Sequence, residues 1–239
     1  MGTGLLLAAL VAIGPFTADE DFYGHNPVTL LNDPKIAPLV GVTEDQKPYL
    51  QQDLNDLVTL LGDRAKLQVA TMKRERETDA VELAKLEQEI AKLEPIVAEF
   101  DARHQAIEKA CAARLTPEQY QRLRELSWQL LGLEAFSKPQ HYEKLGMSSA
   151  DIAMARPLMK DWSKKFRLRD VGQAEPQRTA GLKARGAAEQ EIIATIVSQL
   201  QPSTKATYEI FAGEPGGVSR WELRTTFGIE PVELPKPKR

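Results

Sequence analysis

The chain has 239 residues, 42% of them hydrophobic and 27% charged, enough apolar material for one sizeable domain or two small ones, which excludes global disorder. A net charge of −3 supplies no overall field for nucleic acid or an anionic membrane surface. Aromatic content of 6% favours helices packed through Leu, Ile and Ala over a broad β core, and the single cysteine, Cys111, excludes an internal disulfide and a cysteine-built zinc site.

Residues 5–13 (LLLAALVAI) form an apolar run followed by Gly14, Pro15 and a polar stretch, the pattern of an export signal over 1–18. This predicts a periplasmic or otherwise exported protein. No Lys or Arg precedes the run and bulky Phe16 lies near the cleavage point, so the other reading is a buried or interfacial helix in a cytoplasmic protein. Either way the run is short of the roughly 20 apolar residues that span a bilayer. Residues 19–42, with several Pro, Asn, Asp and Gly, are expected to be an irregular lead-in with one helical turn near 28–31.

A first helical unit is expected over 43–135. Thr43 and Gln46 have capping-box spacing, and Leu50, Leu54, Leu57 and Leu61 follow as one apolar stripe. The charged stretch MKRERETD at 72–79 reads as a solvated helix face or a hairpin turn. Beyond it Leu83, Leu86, Ile90, Leu93, Val97, Phe100, His104, Ile107 and Cys111 keep a three-four repeat, the signature of a coiled-coil seam. Pro95 lies off that seam and is a candidate kink. Helices over about 44–72 and 77–113 are therefore expected to fold back as an antiparallel hairpin.

His104, on the seam, reads as a half-buried histidine with a hydrogen-bonded ring; a metal ligand or pH switch is the alternative, with no second ligand at suitable spacing. Cys111 reads as a small seam residue in preference to a nucleophile. At 115–120 (LTPEQY) Thr116 is the cap, Pro117 takes the first helical position and Gln119 closes the box. Trp128, displaced from that helix's main stripe, is expected to pack as core, to line a groove or to face the second unit.

The second unit, 136–231, begins with a repeat. Residues 31–46 (LNDPKIAPLVGVTEDQ) align without a gap on 136–151 (FSKPQHYEKLGMSSAD) at a constant offset of 105, and LTPEQY is echoed by LQPSTK at 200–205. Ser148 caps the next helix, expected over 148–170 despite Pro157; 170–186 is read as a loop, 187–200 as a helix and 232–239 as a mobile Pro/Lys tail. Lys160, Lys164, Lys165, Arg167 and Arg169 alternate with Trp162, Phe166 and Leu168. Such a cluster can touch phosphates, but snorkelling cations on an amphipathic helix produce the same pattern.

A leader-like segment followed by helices that begin TEDQ (Thr43 to Gln46) and LTPEQ (Leu115 to Gln119) resembles the LTXXQ-motif helical proteins of the bacterial periplasm, the Spy/CpxP-like group. It is also similar to a duplicated family of exported bacterial proteins whose units begin "Pro…LGLTxxQ" and end "LTPEQ". The resemblance implies proteins that bind unfolded envelope polypeptides or act in envelope-stress and metal responses, and it implies no catalytic residues. Histidine-rich metal segments of that group have no counterpart in His25, His104 and His141.

The sequence thus predicts an all-α chain of duplicated helical hairpins with coiled-coil-like packing, with no catalytic, cofactor or metal site. P-loop, GxSxG, HExxH and dinucleotide-glycine patterns do not occur. The expected activity is non-enzymatic, chaperone-like binding of a protein partner or unfolded polypeptide. Candidate contact residues are Leu93, Val97, Phe100, Trp128, Leu131, Trp162 and Phe166. The alternative is a structural or assembly subunit, homo-oligomeric or otherwise, that pairs through the 77–113 seam; nucleic-acid binding through 160–169 ranks third.

Overall fold

The Pro, Asn, Asp and Gly residues of the lead-in cap helices instead of preventing them. In the computed structural model, which describes residues 22–23, 25–166 and 177–223, Asn26 accepts the amide N–H groups of Val28 (2.9 Å) and Thr29 (3.3 Å) at the start of α1, Pro27–Leu31. Asp33 does the same for Lys35 and Ile36, and α2, Ile36–Val40, ends on Gly41 at φ 77°. The described part of the lead-in is therefore helical and central. Phe22, Val28, Leu30, Leu31, Ile36 and Val40 are all core residues. The expected signal, 1–18, and tail, 232–239, lie outside the described residues.

Next come α3, Lys47–Arg74, α4, Ala80–Ala98, and α5, Phe100–Ala113. With 28 residues at 1.5 Å each, α3 is about 42 Å long, and it packs along both α4 and α5 as the predicted hairpin. Residues 75–79 make the turn. Glu77 accepts the amides of Thr78 and Asp79, and Asp79 then caps α4 through Val81 and Glu82. The ladder breaks at Glu99, at φ −96° and ψ 11°, while α4 runs through Pro95, whose missing N–H costs a bond one turn earlier. The seam survives the break. Ile90, Leu93, Phe100 and Cys111 are buried, and Leu83, Leu86, Val97, His104 and Ile107 half-buried.

Two details of α3 differ from expectation. The helix ladder begins at Lys47, after a turn over 44–46, because Pro48 has no N–H to extend it backwards. Thr43 still forms half of its box, donating its amide to Gln46 Oε1 at 2.9 Å. The buried stripe also slips from Leu61, which is 46% exposed, to Leu60, 2% exposed. Near Leu50 the helix rests on α1, where Asn32 donates to the Leu50 carbonyl; further along, the α4–α5 arm covers it and selects a neighbouring face.

The remaining elements are α6, Pro117–Leu131, a 3-10 turn at Gly132–Phe136, α7, Pro139–Lys144, α8, Ser149–Lys165, α9, Gln177–Gln199, α10, Pro202–Ala212, and α11, Arg220–Leu223. No strand occurs among the described residues, and the chain is all-α. The loop expected at 170–186 is helical from Gln177 onward; 167–176 lie outside the described residues. Gly186 is needed inside α9 because a Cβ there would lie 2.6 Å from Ser219 Oγ.

Two buried clusters organise the interior, and α6 serves both. Leu123, Leu126 and Leu130 face the first, with α1, α2, α3 and Leu223. Trp128 and Leu131 face the second, with Phe136, Ala155, Ile196 and Leu200. Trp128 thus faces the second unit, and the two units share α6 as a common wall.

The repeat has a precise structural counterpart. Gly41 and Gly146, at φ 77° and 65°, each end a helix in the left-handed conformation. The following amides bond back at matched positions, Val42 to Ala37 O (3.0 Å) and Met147 to Tyr142 O (3.0 Å). The next helix then starts at the Thr43 turn or the Ser148 cap, and these starts are clasped to the second phrase. Gln119 donates to the Gly41 carbonyl at 2.6 Å and to Gln46 Oε1 at 3.0 Å, while Gln46 donates to Gln119 Oε1 at 2.8 Å. In the other unit Thr204 donates to Asp151 Oδ2 (3.2 Å) and the Gly146 carbonyl (3.4 Å), and Asp151 Oδ1 accepts the Gln201 amide at 2.9 Å.

Candidate functional site

The seven contact residues proposed from the sequence are largely interior. Leu93, Phe100, Trp128 and Leu131 are buried, and Val97, Trp162 and Phe166 half-buried. Their apolar periodicity was a core signal, so this correction follows from the same pattern that selected them. The 77–113 seam faces α3 of its own chain and is not a free face.

Two of the three motif caps sit where the motifs place them, Thr43 with Gln46 being the exception. Thr116 with Gln119, and Ser148 with Asp151, form complete capping boxes. Asp151 is 3% exposed. Burial alone would raise its carboxyl, but the Gln201 amide, the Ser148 hydroxyl and amide, and the Thr204 hydroxyl together hold it below the usual carboxylate range.

Cys111 is fully buried, and burial with neighbouring Asp53 pushes its thiol up to about 12, removing the thiolate a nucleophile needs. His104 is half-buried, with Nε2 3.1 Å from Asn26 Nδ2 and its ring stacked on Phe100. His141 places Nδ1 3.1 Å from the Glu134 carbonyl oxygen. His25 is held neutral, as burial first of all and the cations Arg220 and Lys138 lower it to about 4, against Glu134. His25 and His141 both lie near Glu134, with His104 apart from them beside Asn26 and Phe100, and no cluster of three metal-ligating side chains occurs among the described residues. Of the basic cluster, Lys164 pairs with Asp161 at 3.3 Å, while Arg167 and Arg169 are outside the described residues.

Two surfaces not foreseen from the sequence stand out. On the outer side of α3, Val58, Leu61, Val69 and Met72 are 59%, 46%, 50% and 47% exposed. With exposed Ala65 between them, they recur at helical spacing and form one stripe over about four turns. Beside it runs a shallow groove of about 270 Å³ lined by Gly62, Ala65, Val69, Ala70 and Lys73 of α3 and Glu89 of α4. A Cβ on Gly62 would meet nothing within 4 Å, so the groove floor is open. The signal was legible as a second apolar period on α3, but sequence cannot say which of two stripes a neighbour covers.

The other surface is a cavity of about 460 Å³ between α6, α9, α10 and residues 213–219. Trp128, Ala135, Ile193, Tyr208, Ala212 and Val218 give it an apolar lining. The 213–219 strap is fixed by Gln129, which donates to the carbonyls of Ala212 and Glu214 and accepts the Gly216 amide. Beyond it, the C-terminal turn is pinned through Glu189, 1% exposed, which accepts Arg220 Nη2 at 2.6 Å and Trp221 Nε1 at 2.7 Å.

No protein-family model matches the chain, and comparison with curated proteins and with solved structures gives no significant match. Among the described residues no helix is long and apolar enough to cross a membrane.

Proposed function

We propose that the chain is a non-enzymatic, exported helical binding protein, built as two clasped hairpins, that holds extended or partly folded polypeptide in a chaperone-like manner. The observation that carries this reading is the α3 stripe: four large apolar side chains about half-exposed, where a monomeric helix normally presents polar residues. The adjoining groove, with open Gly62 on one side and Lys73 and Glu89 at its rim, admits the apolar side chains of an amphipathic segment and offers both charges to its flanks. The LTXXQ resemblance supports the same class and an export route. In this chain the two motif glutamines, Gln46 and Gln119, bond each other and so organise the scaffold.

The test is suppression of light scattering by a reduced, unfolding client such as insulin at near-stoichiometric ratio. Val58→Asp with Val69→Asp is expected to abolish suppression while leaving helicity and the melting transition unchanged. No suppression by the parent chain at tenfold excess refutes the reading. Mass-spectrometric determination of the mature N-terminus tests export separately.

A further inference from the structure

The cavity between α6, α9, α10 and the 213–219 strap plays no part in the polypeptide reading. We propose that it is a binding site for a single-chain amphiphile with an apolar body and an anionic head, of the medium-chain carboxylate class. At about 30 Å³ per water-sized unit, a volume of about 460 Å³ takes roughly fifteen heavy atoms. That is too few for a diacyl lipid and suits an acid of about twelve carbons. Trp128, Ile193, Ala212 and Val218 give such a chain apolar surroundings, within the size range and character of small-molecule pockets.

The polar groups on the lining select the head. Trp128, 1% exposed, lines the cavity with its ring, while its indole Nε1 is sealed from solvent and takes no part in holding a head group. Tyr208 is kept protonated, its hydroxyl pushed up to about 12 by burial, and so retains its donor proton. Lys183, exposed on the lining, has no ion-pair partner among the described residues. The Gln129 amide is already committed to the strap, and Glu209 lies 4.0 Å from Lys205. The uncommitted groups on the lining are thus the Tyr208 hydroxyl and the Lys183 cation, and their complement is an acceptor-bearing anion. The strap is a firm wall, because Gly186 lets Ser219 sit directly on α9.

Calorimetric titration of the full chain with sodium dodecanoate below its micellar concentration tests the assignment, with 1-dodecanol and dodecyltrimethylammonium in parallel. Saturable one-to-one binding of dodecanoate is expected, at least about tenfold tighter than the cationic detergent. Lys183→Glu should weaken dodecanoate by about tenfold and leave dodecanol within about twofold. Ala187→Trp, at an exposed lining position, should close the mouth and abolish both, with an unchanged melting transition. Absence of dodecanoate binding, binding indifferent to Ala187→Trp, or binding indifferent to Lys183→Glu overturns the proposal. Loss on Gly62→Trp instead would assign the amphiphile to the α3 groove and refute the cavity.

Discussion

Asp151→Ala removes the centre of the second clasp. Its carboxylate accepts from the Ser148 amide (3.0 Å) and hydroxyl (2.8 Å), the Gln201 amide (2.9 Å) and the Thr204 hydroxyl (3.2 Å). The two local bonds belong to the start of α8, and loss of such a cap costs about 1 kcal/mol. The two long-range bonds to a buried charged acceptor are worth about 1.5 kcal/mol or more each. Fully buried Thr204 keeps the Gly146 carbonyl as an acceptor at 3.4 Å, so the expected cost is the sum of these contributions, about 4 kcal/mol. Urea unfolding followed by far-ultraviolet circular dichroism measures it. Because the folded carboxyl titrates below its unfolded counterpart, its contribution is full above the unfolded pKa and is lost as pH falls through the folded one. The gap between parent and variant should therefore narrow on acidification, and Asp151→Asn should lie between them. A cost below about 1 kcal/mol, or one independent of pH, would refute the clasp as a stabilising joint.

The His25 linkage has a window of its own. With its folded pKa lowered to about 4, the unfolded chain binds the extra proton first, so stability should fall by about 3 kcal/mol from pH 6.5 to 4 and level off below; His25→Leu should remove that slope in urea titrations. Cys111 should resist alkylation in the folded chain and react only at the rate of opening, measured by mass spectrometry with iodoacetamide. Leu93→Asp should destabilise by about 3 kcal/mol or more, whereas Leu61→Asp should stay within about 0.5 kcal/mol, a contrast read from denaturation midpoints.

The all-α class, the long hairpin and two helix starts, at Thr116 and Ser148, were legible in the sequence, because caps and apolar periods act over a few residues and are written there directly. Thr116 with Gln119, Ser148, and the 83–111 seam needed no tertiary information. The ungapped 105-residue offset also reported a real geometry, the paired left-handed glycines at 41 and 146. What lay beyond reach was which apolar face meets a neighbour. The seam residues Leu93 and Phe100 looked like a contact surface and are covered by α3, whereas Leu61, expected on the core stripe, and Val58, Val69 and Met72, which drew no expectation, are exposed. Burial is a property of a pair of elements, and periodicity describes only one. Likewise the Pro and Asn of the lead-in read as breakers, yet became caps once α1 could bury Val28, Leu30 and Leu31. The cavity depends on Gln129 and Glu189 drawing 213–223 across α6 and α9. Those bonds join residues about 30 to 90 positions apart, so only the folded chain decides them, since local propensity carries no information about distant partners.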